Sequence, residues 1–512
     1  MLPQSNSFLS LVLLAVSVCV VIAVDMFTPA HRSRVVSGLT AFSGGLVALL
    51  ALVLGVYTTA LDGLAYRFTG MLVYDQVSLF LSLLCLSGML LAIVFAIRSK
   101  EMRQPRQGEF YALLLGATFG GVLLVSADHL LLFFLGLETM SICSYVLAGY
   151  HKDDHRSAEA GLKYLIYGAV LSGTLFFGFS YLYGLSGTLH ISEMMGIIAH
   201  EIESGQMHPL IFAVVAAPVV AGLGFKMALF PFHFWCPDVY QGAPTPVTAY
   251  LSVVSKAASF GALLRVLLPF YAAYGQGDTF DPSIFGDAGV PVFIGLLAMG
   301  TMTFGNLAAL RQTDIKRLMA YSSIAHAGYL LLPLTVDSPQ SVEALLFYLA
   351  IYLFMNLGVF WVVIAMANQL GSAEISRLRG VARQLPFLFG TLFVFLIALT
   401  GLPPTAGFVA KFMIFKVVID ACIHHMVDGQ FTLVAGFYGL LALVGVLNSA
   451  VSLYYYMRIA RVMALEEPLH DTEVQMAKVR YDRRLAIALA APLLLLLLNF
   501  TPLLKMIEFA AN

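Results

Sequence analysis

Charge is scarce in this sequence. Asp, Glu, Lys and Arg make up 11% of 512 residues against 60% for the apolar types, and the net charge is -1. So few ionic groups cannot coat a water-soluble globule of this length, which excludes that class and points to an integral membrane protein. The near-neutral balance offers no basic surface for nucleic acid. Cysteine is also sparse. Cys19, Cys85, Cys143, Cys236 and Cys422 are scattered, without a CxxC or other cluster that could grip zinc or an iron-sulfur centre, so neither a metal nor a disulfide is expected. There is no GxGxxG fingerprint between a strand and a helix to hold a dinucleotide. The segment from Phe8 lacks the basic start of a secretory signal and reads as the first span.

What is abundant is long apolar runs. A span needs about 20 mainly apolar residues. Fourteen such segments occur, near 8 to 24, 39 to 57, 77 to 97, 110 to 126, 129 to 147, 161 to 183, 210 to 235, 245 to 270, 289 to 310, 316 to 335, 343 to 368, 385 to 420, 431 to 457 and 485 to 506. The expected fold is therefore an all-α polytopic membrane protein. The connections after odd-numbered spans hold twenty of the 28 lysines and arginines, whereas those after even-numbered spans hold only Arg67, with Lys505 near the C-terminus. Because cytoplasmic loops carry the basic excess, both termini are expected outside and the odd-numbered connections in the cytoplasm.

Six basic residues remain inside spans: Lys163, Lys226, Lys256, Arg265, Lys411 and Lys416. Lys163, Arg265 and Lys416 lie near span ends and are expected to snorkel to an interface. Lys226 and Lys256 are each about ten or more residues from the turn at Pro237 to Pro244, roughly 15 Å at a rise of 1.5 Å per residue, and Lys411 is similarly deep. Glu138 is about ten residues inside span 5 on the same count. A charge at mid-bilayer costs roughly 2.5 to 3.5 kcal/mol on insertion scales, so these four groups need a function. One acid cannot neutralise three lysines, which argues against a purely structural ion-pair network.

Two of the spans look interrupted. GLGFKMALFP in span 7 and TGLPPTAGFVAKF in span 12 place Gly and Pro beside Lys226 and Lys411, and the freed backbone groups are tolerable at membrane depth only beside protein or a wet cavity. Breaks are expected near 222 to 226 and 401 to 407, each followed closely by its lysine. Five spans separate them, which suggests that spans 4 to 8 and 9 to 13 are two five-helix repeats. An odd number of helices makes such a repeat inverted. The expected organisation is N-terminal spans over 1–109, one repeat over 110–270, the other over 271–462, and a connection with the last span over 463–512.

Four stretches carry a resemblance: LLFFLGLETMSICSYVLAGYHKDDHRSAEAGLKYLIYGA (131 to 169), GFKMALFPFHFWCPDVYQGAPTPVTAYLSVVSKAASFGALLRV (224 to 266), GNLAALRQTDIKRLMAYSSIAHAGYLLL (305 to 332) and LTGLPPTAGFVAKFMIF (399 to 415). The sequence resembles the subunit N family of bacterial NADH-quinone oxidoreductase, respiratory complex I. Kin to that family are the L and M subunits and the subunits of multi-component sodium/proton antiporters and membrane-bound hydrogenases, which supply the alternative reading. The PDVYQGAPTPVTAYLSVVSKAA run looks like N, and the chain lacks the long lateral helix of L.

The resemblance implies a non-redox, proton-translocating translocase subunit in the bacterial inner membrane, with both termini periplasmic. FMN, iron-sulfur clusters, NADH and quinone would be handled by other subunits, and this chain would bind no cofactor. Its partners would be the antiporter-like M subunit, the small membrane subunits and lipid. Glu138 and Lys226 would form the pair on spans 5 and 7, with Lys256 the central proton carrier and Lys411 toward the outer exit. His233 and His326 fall within the matching motifs FPFHFW and SSIAHAGY as possible members of a hydrated path. Asp238 is expected to shape the turn on the cytoplasmic side.

Overall fold

The computed structural model describes residues 8–62, 66–68, 70–102, 104–274, 289–370, 373–427, 430–468 and 483–511. Helix dominates because the apolar runs can satisfy their backbone only internally in lipid. The chain opens with α1 (Leu9–Phe27), α2 (Ala30–Asp62), the small hairpin β1 (Tyr66–Phe68) and β2 (Leu72–Tyr74), and α3 (Gln76–Arg98). α4 (Gly108–Ser126), α5 (Leu130–Ala148) and α6 (His155–Ser186) follow. Next come α7 (Ile191–Glu203), α8 (Pro209–Met227), α9 (Trp235–Gly242), and α10 (Thr245–Tyr250) joined by a π turn (Leu251–Ser255) to α11 (Lys256–Tyr274).

The second half contains α12 (Val290–Ala309), α13 (Ile315–Leu331), α14 (Pro339–Leu370), the one-turn α15 (Val381–Gln384), α16 (Pro386–Thr400) and α17 (Ala406–His424). A minimal hairpin, β3 (Met426–Val427) with β4 (Gln430–Phe431), leads to α18 (Leu433–Leu465), α19 (Arg483–Leu498) and α20 (Thr501–Ala511). Among the described residues, 11 helices are long and apolar enough to cross a membrane, or 12 if α19 and α20, bent by 87°, count as one. α13, α16 and α17 fall outside that number. α13 and α16 are short, at 17 and 15 residues, and α17 carries Lys411, Lys416 and Asp420.

Each of the fourteen expected segments falls on one or more helices, and beyond the interruptions of segments 7 and 12 there are two differences. The last is sharply bent at Asn499 and Phe500. The connection after span 6 holds α7, whose buried Ile191, Met194, Met195, Ile198 and Ile202 repeat at helical spacing and pack on α11.

Close packing follows small residues. α4 and α5 meet where Gly120 faces the backbone of Met140 and Gly136 that of Leu124. α12 and α13 meet in the same way, Gly305 against Ala325 and Gly328 against Met302. In each pair a methyl group on either glycine would come within 2.7 Å of the opposing backbone. α14 is almost wholly buried and touches α3, α10, α16, α17, α19 and α20.

The loops divide between two faces. On the basic face Lys316 donates to the carbonyl of Ala243 at 2.6 Å, and Asp314 and Glu374 form a β-bridge. On the opposite face Arg265 grips Asp75, the N-cap of α3, with both terminal nitrogens at 2.6 and 2.7 Å. Snorkelling was the expectation for Arg265. Its guanidinium is instead held inside the bundle, because Asp75 and the Val125 carbonyl supply acceptors there. Lys163 keeps to that expectation, since its part-exposed ammonium reaches the basic face and pairs there with Asp238 at 2.6 Å and Glu159 at 2.7 Å. Lys416 is exposed and reaches only Asp420, 3.7 Å away.

A buried lysine chain on broken helices

Span 7 breaks at 228–234, after Lys226, and not at 222 to 226 as its glycines suggested. Gly222 and Gly224 stay helical and serve packing, facing Leu175 and Phe232. The helix ends instead at Ala228, which adopts the left-handed conformation (φ 59°) and donates to Gly224 and Phe225. Lys226 thus lies in the last turn of α8, where the unpaired carbonyls form the negative end of the helix dipole.

Span 12 breaks at 401–405, within the expected interval. There Gly401 caps α16 at φ 82°, and Lys411 reaches back from α17 to donate to the Thr400 carbonyl at 2.9 Å. Both lysines therefore sit at the negative pole of the first half of a broken helix, Lys226 from within it and Lys411 from across the gap.

Lys226, Lys256 and Lys411 are 4, 3 and 4% exposed. The Lys226 ammonium lies 3.4 Å from the Tyr145 hydroxyl and over the rings of Tyr145, Tyr164 and Phe225, at 5.1 to 5.6 Å. Glu138 is about two helical turns from Tyr145 on α5 but forms no ion pair with Lys226 within 4.0 Å. One of its oxygens, Oε1, is buried without a hydrogen-bond donor. The expected Glu138–Lys226 pair is thus not a direct contact; Tyr145, on the same helix as Glu138, is the side chain that meets the ammonium.

Lys256 begins α11 directly after the π turn, a distortion that recurs at functional sites. Its ammonium donates to the Ser323 carbonyl on α13 and lies 5.3 Å from the Tyr352 ring. Ser323 Oγ also meets Tyr240 at 3.3 Å and Tyr352 at 3.1 Å. α9 connects this group to Lys226, since Trp235 stacks on Tyr164 at 4.3 Å and donates to the Phe225 carbonyl, while Tyr240 of the same short helix reaches Ser323.

From Lys256 the polar residues continue along α13. His326 is buried between the Tyr348 hydroxyl at 2.5 Å and the Tyr456 hydroxyl at 3.2 Å. One turn on, Tyr329 accepts from Ser449, which accepts from Lys411 at 3.2 Å, and the Lys411 ammonium stands 4.4 Å over the Tyr329 ring. Hydroxyls both donate and accept, so a row of Tyr and Ser can relay a proton between lysines. His233 differs from His326. It packs in the span 7 break among Phe230, Phe234 and Phe304, with Nδ1 lacking a hydrogen-bond partner, and contacts no lysine.

The tyrosines and serines of this row escaped sequence reasoning, because neither type is rare in apolar spans. One signal was available in the motif YSSIAHAGY, where Ser323, His326 and Tyr329 recur every third residue on one side of a helix. At the basic face Asp238 takes hydrogen bonds from Lys163 at 2.6 Å and Arg317 at 2.7 Å, tying α6, α9 and α13 together. Burial works to raise the pKa of its carboxyl, but the hydrogen bonds and charges of Lys163 and Arg317 outweigh burial and hold it below the ordinary 3.8. Among the described residues no group of three or more His, Cys, Asp or Glu side chains could hold a metal ion, and all five cysteines are free.

Helices broken at membrane depth, each with a buried lysine at the break, define an antiporter-like polytopic membrane protein. Residues 127–435 match the family described as NADH:quinone oxidoreductase/Mrp antiporter, TM. The chain belongs to that family, in its NADH-quinone oxidoreductase subunit N group. It is 41% identical over 435 residues to NADH-quinone oxidoreductase subunit N of Anaeromyxobacter sp. (strain Fw109-5), covering 83% of this chain and 82% of that protein. It is also 41% identical over 470 residues to subunit N 2 of Sorangium cellulosum (strain So ce56), covering 89% and 87%. A chain of respiratory complex I from Thermus thermophilus with bound aureothin superposes with a TM-score of 0.72 at 31% identity, covering 98% of this chain and 100% of that one. An archaeal membrane-bound sulfane sulfur reductase (TM-score 0.81, 21% identity) shares the fold.

Proposed function

We propose that this chain is a proton-translocating, non-redox membrane-arm subunit of an NADH-quinone oxidoreductase in a bacterial inner membrane. It works beside other membrane subunits while electron transfer from NADH to quinone proceeds elsewhere in the assembly. The observation that carries the reading is the set of buried lysines Lys226, Lys256 and Lys411, with the polar side chains Tyr240, Ser323, His326, Tyr329 and Ser449 placed between them along α9, α13 and α18. On this reading the chain crosses fourteen times, with both termini periplasmic. Residues 110–270 and 271–462 form two inverted five-helix repeats after an N-terminal unit (1–109) and before a last span (463–512). The matching glycine pairs of α4/α5 and α12/α13 support the repeat, as do the two breaks.

In the mechanism, Glu138 holds the charge of Lys226 through Tyr145. A change in its charge or position sends the Lys226 proton to Lys256, then along α13 to Lys411 and out. Moving one charge against about 150 mV costs roughly 3.5 kcal/mol, a size that rearranging one buried charge pair can supply. His326 lies in this row; His233 stands aside from it.

The test is Lys256→Ala in the assembled complex. Proton pumping and quinone reductase turnover should fall together by about tenfold or more, the scale of losing a positioned proton carrier. Lys256→Arg should not restore them, because arginine does not readily release its proton. Normal pumping in Lys256→Ala would remove the residue from the path.

A further inference from the structure

On the face opposite the basic one, three segments meet at the head of α5, away from the lysine row. Residues 127–130 bridge β2 through Leu72 and Ala127, and bridge the start of α7 through His129 and His190. The Leu130 amide donates to the Leu189 carbonyl at 3.0 Å, and the Ile191 amide to that of Asp128 at 2.8 Å. The Asp128 carboxylate accepts from the amide and hydroxyl of Ser192 at 3.0 and 2.9 Å, holding the first turn of α7. α5 carries Glu138 and Tyr145, and α7 packs on α11, which begins with Lys256. The junction therefore fixes elements that carry the site.

The cap of α5 is a titratable one. His129 stands where Ser, Thr, Asp or Asn is usual, and its Nδ1 accepts from the Leu131 amide at 3.2 Å. An amide can donate only to an unprotonated nitrogen, so this cap exists only while the ring is neutral. A proton on Nδ1 removes the hydrogen bond and places a positive charge at the positive end of the α5 dipole. The ring is buried, and the titratable groups facing it are His190, 5.1 Å away and edge to face, and Asp128. Burial and His190 push its pKa below the ordinary 6.5, against the pull of Asp128. The cap is therefore complete above 6.5 and is lost as the pH on this face falls through the lower value that the fold sets. α8, the helix of Lys226, starts in the same manner, with exposed His208 accepting from the Leu210 amide at 3.2 Å.

We propose that His129 is a positioning residue for the site of Glu138, Tyr145 and Lys226, and that acid on this face protonates it, releases the head of α5 and slows turnover. The proposal rests on the function given above, in which this is the face where protons emerge. The product of transport then restrains its own release, through a group that titrates in the range a histidine covers.

The experiment uses the assembled complex in inverted vesicles, with NADH outside and the lumen set from about pH 7.5 down to about 5.5, a range that spans histidine titration. His129→Asn keeps a capping acceptor that does not titrate. Wild type and variant should match at the neutral end. At the acid end the wild type should turn over about fivefold more slowly than the variant, the scale of losing one cap. Both feel the same back-pressure from the gradient, so their ratio cancels it. His190→Gln should start the decline at a higher pH, because it removes a group that holds the His129 pKa down. Hydrogen exchange over the first turn of α5, measured on the solubilised complex across the same range, should show protection lost in wild type and kept in His129→Asn. Superimposable pH profiles for the two would overturn the proposal, as would protection lost with no loss of turnover. Exchange does not depend on pumping, so normal pumping by Lys256→Ala would sink the proposed function and leave the titrating cap standing.

Discussion

Three ammonium groups survive at low exposure because each has a carbonyl, a hydroxyl or an aromatic face within reach. Lys256 has Ser323, Lys411 has Thr400 and Ser449, and Lys226, the least satisfied, has only the distant hydroxyl of Tyr145 and three ring faces. On the proposed reading, that poverty of partners leaves the charge of Lys226 the most dependent on Glu138. Glu138→Gln and Lys226→Ala should each impair turnover to a similar degree, with the double variant little worse than either, since groups acting as one unit fail together. Glu138→Asp should keep part of the activity because its charge remains on a shorter arm. A double-mutant cycle on turnover in reconstituted vesicles, with assembly measured separately, decides this; strictly additive losses would disprove the coupling. The lysines were legible in the sequence because a charge in an apolar run is conspicuous. Tyr145, Tyr240 and Ser323 were not, since a hydroxyl in a span is ordinary until folding places it against an ammonium.

The elements that hold these residues were legible to different degrees. Span 12 announced its break because Gly401 takes a backbone conformation that L side chains rarely adopt, and Pro403 and Pro404 cannot continue a helix. Span 7 misled, because its glycines buy close packing and the turn falls on Ala228 instead. The π turn before Lys256 left no mark, since LSVVS reads as ordinary span. Gly401 provides a sharp test. A methyl group there would stand 2.5 Å from Lys411 Cδ, and the left-handed backbone would add a cost of about 1 to 2 kcal/mol. Gly401→Ala should therefore lower stability by about that amount and reduce pumping toward the level of Lys411→Ala. Gly390→Ala on the same helix, with nothing within 4 Å, should leave both unchanged; thermal unfolding and vesicle pumping measure the contrast.

At the scale of the whole molecule, the partition of basic residues was the clearest sequence signal, because loop charge is set by topology and not by packing. The helix α7, in the connection after span 6, was not expected, since its apolar face is recognisable only once α11 is there to cover it. Orientation gives the corresponding prediction. In right-side-out vesicles, Ser204→Cys after α7 should react with a membrane-impermeant maleimide, whereas Arg311→Cys after α12 should react only after permeabilisation. The reverse pattern would invert the assigned topology.

α14 runs through the molecule as a keystone, buried along almost its whole length between the N-terminal helices, the first broken-helix unit and the second. A carrier that rocks one half against the other must have a seam along which contacts can part, and a helix gripped from every side closes that seam. On the reading proposed above, a frame held along that seam suits a cargo that is handed from group to group and needs no room for its own bulk, as a proton is.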